Sequence, residues 1–305
     1  MILNSFKISR KIRRKKLKLL NIENISKNYG DKAILENVSC EIESGEIIGL
    51  LGLNGQGKST FVKIILDLLN KDSGHIDRFL SLKKNLGVML QEVSLPEHLK
   101  VKELIELIRK FSDNPRTVKD ALDMMDLGGF ANYDCGKLSG GQKRKLQFSV
   151  AITNNPSFLV LDEPTARMDI VSKELFWTNI KKMLKMQNLT VLLISHDLLE
   201  VESVTSRIII LNNKKIVVDK KMIDLKEEFN QTKIYTISKS DLIEDDLSIL
   251  SKIPNLSEDA DRIYIKMSPQ GKDKIYKLFE KNFDFEKISI KTTDLSQYFK
   301  EVVRE

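Results

Sequence analysis

Cysteine and histidine are scarce in this chain, two of the first and three of the second in 305 residues. Cys40 and Cys135 lie far apart with no metal-type spacing, which argues against a disulfide scaffold and leaves one buried thiol and one loop thiol in a reducing compartment. Long apolar runs are missing as well. None approaches the roughly eighteen residues of a membrane-spanning helix, so contact with a membrane is expected only through a partner or the surface. The N-terminus is charged and no apolar stretch follows it, so no secretory signal is expected. Acid is missing from residues 1–16, where Lys7, Arg10, Lys11, Arg13, Arg14, Lys15 and Lys16 carry the whole net charge of +7. The rest of the chain sets 43 basic against 43 acidic residues, and a neutral body argues against nucleic acid as a partner. The basic tail reads as a solvated, disordered extension, or as a lever toward anionic lipid worth about 1 kcal/mol per basic residue near a membrane surface. With 41% apolar and 30% charged residues, the composition fits a soluble globular protein with room for two domains, or for one domain and an appendage.

What the chain does have is Gly52-Leu53-Asn54-Gly55-Gln56-Gly57-Lys58-Ser59-Thr60, which fits the pattern G-x-x-x-x-G-K-[ST]. The apolar run at 46–51 predicts a strand before it, and residues 61–65 continue as a helix after it, which is the context the pattern requires. Glycines let the backbone curl closely round a phosphate, so that successive N–H groups and the helix N-terminus point at negative charge. Lys58 then reaches the β- and γ-phosphates, and Ser59 offers a hydroxyl to Mg²⁺. A nucleoside triphosphate is the expected ligand.

Around this loop the texture changes several times. Residues 18–25 alternate as a strand before the turn Asn28-Tyr29-Gly30-Asp31, and 33–38 and 40–43 read as two further strand pieces. Antiparallel strands therefore precede the strand that feeds the loop. A turn at Asp72-Ser73-Gly74 enters another strand, and the stretch 86–91 gives one more, ending in Gln91. From about 92 to 137 strand signals vanish and apolar residues such as Leu104, Ile105, Ile108, Leu122 and Met125 recur at helical spacing, which predicts a helical insert. Strands at 158–161, 190–194 and 207–211 then alternate with helices at 172–187 and 198–204, implying right-handed crossovers and a largely parallel sheet. Beyond Asp219, strands at 233–238, 262–267 and 286–292 alternate with helices at 242–253, 269–282 and 294–304, a small α+β appendage in which no catalytic constellation is legible.

The strand at 158–161 ends in Asp162-Glu163, two acids at the carboxyl edge where α/β sheets bind ligands. Asp162 would hold Mg²⁺, directly or through water, and Glu163 would act as general base on the attacking water. Leu138-Ser139-Gly140-Gly141-Gln142 is weak alone, since two glycines before a helix serve equally as a cap or as a second phosphate-gripping edge. A lone histidine at a strand end is structural by default, but His196 emerges on the same edge as Asp162 and Lys58, which makes contact with the γ-phosphate the better reading. His75 and His98 read as surface or turn residues.

In order and spacing these motifs resemble the ATP-binding-cassette (ABC) nucleotide-binding domains over about residues 17–220. The resemblance implies an α/β P-loop fold with a mixed sheet core, an antiparallel β subdomain and the insert at 92–137, followed by an α+β accessory domain at 221–305. It implies an ATPase using ATP and Mg²⁺. Tyr29 would stack on adenine, and Gly52, Leu53, Asn54, Gly55, Gln56, Gly57, Lys58, Ser59 and Thr60 would bind ATP. Ser59, Gln91 and Asp162 would attend Mg²⁺, with Glu163, Gln91 and His196 catalytic. Ser139, Gly140, Gly141 and Gln142 would close on the ATP of a second nucleotide-binding domain, and Asp169 would serve communication across that dimer. Gln91 and the insert would pass closure to an integral membrane permease, so the chain would work on the cytoplasmic face of the cell membrane, its membrane contact indirect and aided by the basic tail. One departure is Ala166-Arg167-Met168-Asp169, where the family usually has a small residue and then Gly-Leu-Asp. The stretches Lys287-Ile288-Ser289-Ile290 and Asp294-Leu295-Ser296-Gln297-Tyr298-Phe299 resemble the C-terminal extension of drug and antibiotic exporters, which favours export over import. The rivals are an ABC ATPase acting on ribosomes or nucleic acid, and an ATP-binding regulatory or immunity module. A single cassette with a neutral body disfavours the first, and intact Glu163 and His196 disfavour the second.

Overall fold

The computed structural model describes residues 17–79, 85–91, 94–242, 250, 256–267 and 288–304. The expected basic tail lies outside the described residues, as do the helix at 269–282 and most of that at 242–253. The chain divides into two compact units, one running up to Glu46 and over Val62–Leu192, the other made of Ile47–Phe61 and the chain from Leu193 onward.

In the first unit, β1 (Lys18–Tyr29) and β2 (Lys32–Glu43) form an antiparallel hairpin whose register runs from Lys18 opposite Glu43 to Tyr29 opposite Lys32. Leu20, Ile22, Leu35, Val38 and Ile42 alternate onto one buried face. The two pieces expected at 33–38 and 40–43 are one strand. Asn37 enters the left-handed region (φ +50°), and its N–H donates to the Ser26 hydroxyl at 3.0 Å, so the irregularity stays inside the ladder. The chain then leaves this unit for β3 (Ile47–Leu51) and α1 (Lys58–Ile65), and returns with β4 (Ser73–Arg78), which pairs antiparallel with β1 to give the order β2-β1-β4.

Next comes β5 (Leu86–Met89), then the helical insert with α2 (Val101–Arg109) and α3 (Val118–Asp123). Val101, Leu104 and Ile105 bury one side of α2, and Thr117 caps α3 by accepting the Asp120 N–H at 3.0 Å. α4 (Gly140–Ile152) leads to β6 (Phe158–Asp162), which pairs parallel with β5. α5 (Ile170–Gln187) follows, and β7 (Thr190–Ile194) carries the chain out of the unit. Phe158, Leu159, Val160 and Leu161 are wholly buried, each contributing about 1.5–3 kcal/mol over an exposed position, and the Phe148 and Phe176 rings meet at 4.5 Å between α4 and α5. Cys40 and Cys135 are both buried thiols, so the expected loop thiol is not exposed. The Cys135 and Gly136 N–H groups donate to Leu99 and Glu97 carbonyls at 2.9 and 3.0 Å, which folds that loop inward.

In the second unit β3 lies parallel to β8 (Arg207–Asn212), after α6 (Leu198–Val204). β9 (Lys215–Lys221) then pairs antiparallel with β8 and makes the group of strands mixed. This strand and the following α7 (Met222–Gln231) go beyond the sequence reading, which places a change of texture at Asp219. β9 alternates weakly because it is an edge rich in lysine, and α7 buries only Met222, Leu225 and Phe229. The C-terminal part is a four-stranded antiparallel sheet of β10 (Lys233–Ser238), β11 (Leu256–Glu258), β12 (Arg262–Met267) and β13 (Ile288–Thr292), ordered β11-β12-β10-β13. Tyr235, Ile237, Ile263, Ile265 and Met267 form its core, and α8 (Leu295–Arg304) ends the described chain.

Candidate nucleotide-binding site

The phosphate-loop sequence folds as its pattern requires. β3 is buried at all five positions, the chain turns through residues 52–57, and α1 starts at Lys58. Gly52 has no room for a side chain, because a Cβ there would lie 2.4 Å from the Leu211 carbonyl oxygen on β8. Gly57 has φ +92°, which only glycine adopts freely. Lys58 Nζ donates to the Gly52 and Leu53 carbonyls at 2.6 and 3.0 Å, so the ammonium bends over its own loop. Leu53, Asn54, Gly55 and Ser59 are exposed, while Gln56, Gly57, Lys58 and Thr60 are half-buried. Backbone N–H groups, a helix N-terminus and an ammonium within one turn of chain make a cradle for polyphosphate.

His196 belongs to the same unit. It sits exposed in the turn between β7 and α6, where the Asp197 N–H donates to Ser195 Oγ at 3.1 Å and Asp197 caps α6 by accepting the Glu200 N–H at 3.0 Å. A cavity of about 140 Å³ is lined by Gly52, Leu53, Asn54, Ser195, His196 and Phe299. The structure thus places His196 on the same cavity as Gly52, Leu53 and Asn54 of the phosphate loop.

The remaining expected residues belong to the first unit. Asp162 closes β6, and Glu163 follows it in the left-handed region (φ +48°), a costly backbone for a glutamate and of the kind found where function dictates geometry. Gln91 is exposed just past β5. Between these points stands a residue the sequence reading missed. Arg144, buried on α4, donates to the carbonyls of Leu90 (3.0 Å), Pro164 (3.2 Å), Asp162 and Glu163, and to Gln147 Oε1 at 2.8 Å. Burial pushes its guanidinium pKa down, while the charges of Asp162 and Glu163 push it back up. One guanidinium therefore ties the ends of β5 and β6 to the helix that Ser139, Gly140, Gly141 and Gln142 begin. The signal available was an arginine on a face that continues as Phe148 and Ile152.

At the start of α4 the chain around the glycine pair caps the helix. Ser139 Oγ accepts the Gln142 N–H at 3.3 Å and Gln142 Oε1 accepts the Ser139 N–H at 2.9 Å, a reciprocal cap. Arg167 (φ +66°) lies against the glycines, and a Cβ on Gly141 would stand 3.2 Å from its carbonyl oxygen. Asp169 caps α5, where the hydroxyl and N–H of Ser172, at 2.7 and 2.8 Å, hold its carboxyl below the usual range. Tyr29 ends β1 about half exposed, with Lys27 Nζ 5.9 Å from its ring centre.

The sequence profile described as ABC transporter matches residues 35–166. The zinc import ATP-binding protein ZnuC of Rickettsia conorii is 34% identical over 196 residues, covering 64% of this chain and 83% of that protein. The chain belongs to the ABC transporter family. Another relative of the cassette, the Nod factor export ATP-binding protein I of Rhizobium etli, is 32% identical over 222 residues, 68% of this chain and 70% of that protein. The dimeric structure of a bacterial ABC transporter cassette superposes with a TM-score of 0.60 at 26% identity, covering 67% of this chain and 99% of that one. A post-hydrolysis state of the same cassette with ADP and Pi matches equally.

The fold is accordingly that of the P-loop ABC cassette, α/β with an antiparallel β subdomain and a helical insert, plus a small C-terminal α+β domain. The chain is the ATP-binding subunit of an ABC transporter and an ATPase that uses ATP with Mg²⁺. Its own residues suit that pair: the loop with Lys58 suits polyphosphate, and the exposed Ser59 at the start of α1 offers a hydroxyl to an ion that keeps water and takes phosphate oxygens. Among the described residues no cluster of three or more His, Cys, Asp or Glu side chains could hold a metal alone, and no helix is long and apolar enough to cross a membrane.

Proposed function

We propose that this ABC ATPase works on the cytoplasmic face of the cell membrane, docked on a separate integral membrane permease, and drives export by ATP-dependent closure with a second nucleotide-binding domain. The observation that carries the reading is the phosphate loop with Lys58 curled over it and His196 on the same cavity. In this reading residues 17–220 form the cassette, and 221–305 the accessory domain. Tyr29 stacks on adenine, and the amides from Gly52 to Thr60 with Lys58 hold the phosphates. Ser59, Gln91 and Asp162 would hold Mg²⁺, which would supply charge neutralisation for the phosphates. Glu163 accepts the proton of the attacking water, Gln91 senses the γ-phosphate, and His196 steadies it. Ser139, Gly140, Gly141 and Gln142 reach the ATP of the second domain, with Asp169 at the contact between the two sites.

Family membership supports the permease and the dimer. Export rests on the likeness of residues 287–299 to exporter extensions and on the Nod factor export relative, and it stands beside a zinc import relative. A groove of about 550 Å³ on the insert, with Leu99, Leu107 and Val118 between Lys102, Glu106 and Lys110, suits the permease contact. The test is affinity capture from membranes together with the ATPase rate of Glu163→Gln. A multi-span protein should be recovered and the variant should bind ATP without turnover. Recovery of ribosomes, or a Glu163→Gln rate equal to wild type, would overturn the proposal.

A further inference from the structure

The described part of the accessory segment ends in α8, and one face of that helix is laid beside the phosphate loop and the His196 turn. Leu295, Phe299 and Val302 share this face at helical spacing. The Leu295 N–H, at the start of the helix, donates to Glu202 Oε2 on α6 at 2.9 Å, and α6 is the helix entered directly from His196. Phe299, half-buried, lines the cavity that Leu53, Asn54 and His196 also line. The Val302 carbonyl accepts from Asn212 Nδ2 at 3.4 Å, next to the Leu211 carbonyl that leaves no room for a side chain on Gly52.

An adjoining side of α8 is held by the rest of the C-terminal segment. Tyr298 packs on Phe229 with ring centres 5.8 Å apart and takes Lys220 over its face, and Glu301 pairs with Lys266 of β12. The helix therefore joins the C-terminal sheet to the two pieces of chain that set Gly52 and His196. A phenylalanine at this place offers nucleotide no polar group. Its ring instead forms a wall of the cavity beside Ser195 and His196.

We infer that Phe299 is a positioning residue for ATP hydrolysis: through its packing in this cavity α8 holds His196 in register with the phosphate loop, so the C-terminal segment governs turnover rather than nucleotide affinity. The inference rests on the role proposed for His196. In the full-length protein, Phe299→Ala should lower kcat roughly ten- to a hundred-fold, the scale of a misplacement of about 1 Å, while affinity for trinitrophenyl-ATP stays within about two-fold. Phe299→Leu, which refills the space, should recover most of the rate, and adding Phe299→Ala to His196→Ala should cost nothing more. If Phe299→Ala does not fold, Glu202→Ala removes the acceptor of the Leu295 N–H, loosens the same helix at its first turn and should show the same split between rate and affinity. An unchanged kcat, a parallel loss of affinity, or a Leu variant as slow as the Ala variant overturns the inference. A slow His196→Ala beside a full-speed Phe299→Ala removes only the role of Phe299. A full-speed His196→Ala removes the role given to His196, and this inference with it.

Discussion

Arg167 shows what a single position costs. It holds φ +66°, a region where a bulky side chain is an outlier, at the place where the family usually has glycine. Arg167→Gly should therefore stabilise the protein by about 1 kcal/mol despite the added chain entropy of glycine, read as a higher urea midpoint at unchanged slope. A loss of stability would mean that the arginine makes contacts worth more than its strain. Glu163 (φ +48°) carries similar strain but cannot be relieved without removing the proposed general base. The motif residues themselves were legible because each is tied to an element end: Lys58 to the start of α1, Asp162 to the end of β6, Asp169 to the cap of α5. Arg144 was not legible, since its worth lies in four backbone carbonyls, and a carbonyl leaves no mark in a sequence.

Among the elements, α4 joins two kinds of work. Its first turn carries the residues proposed to reach a second nucleotide, and its second turn carries Arg144. Arg144→Met should cost about 3 kcal/mol, because truncation leaves several buried carbonyls unpaired, and should lower kcat more than ATP affinity. Equal losses in both would reduce Arg144 to a structural role. Ser139→Arg should leave nucleotide binding largely intact while preventing dimer closure and turnover, and normal hydrolysis by that variant as an isolated monomer would refute the composite site. The antiparallel hairpin, β5, β6, β7, β8, β10, β12, β13 and α8 all lie close to where periodicity puts them. β9 and α7 escaped because a lysine-rich edge strand and a helix with three buried side chains carry little periodic signal.

At the scale of the whole molecule, the proposed function requires the insert to face a permease. Leu107 is 44% exposed on the rim of the insert groove, so Leu107→Glu should abolish recovery of the multi-span partner while leaving ATP binding unchanged, as judged by affinity capture and nucleotide titration. Retained recovery would place the docking surface elsewhere. The two buried thiols give access to a different quantity. Cys40 sits in the hairpin and Cys135 in the insert loop, where burial pushes its pKa up and keeps it as the unreactive thiol. Neither should be alkylated until its own neighbourhood opens, so the folded chain carries two internal clocks, and the ratio of their labelling rates with and without nucleotide reports which part of the protein breathes less when ATP is bound.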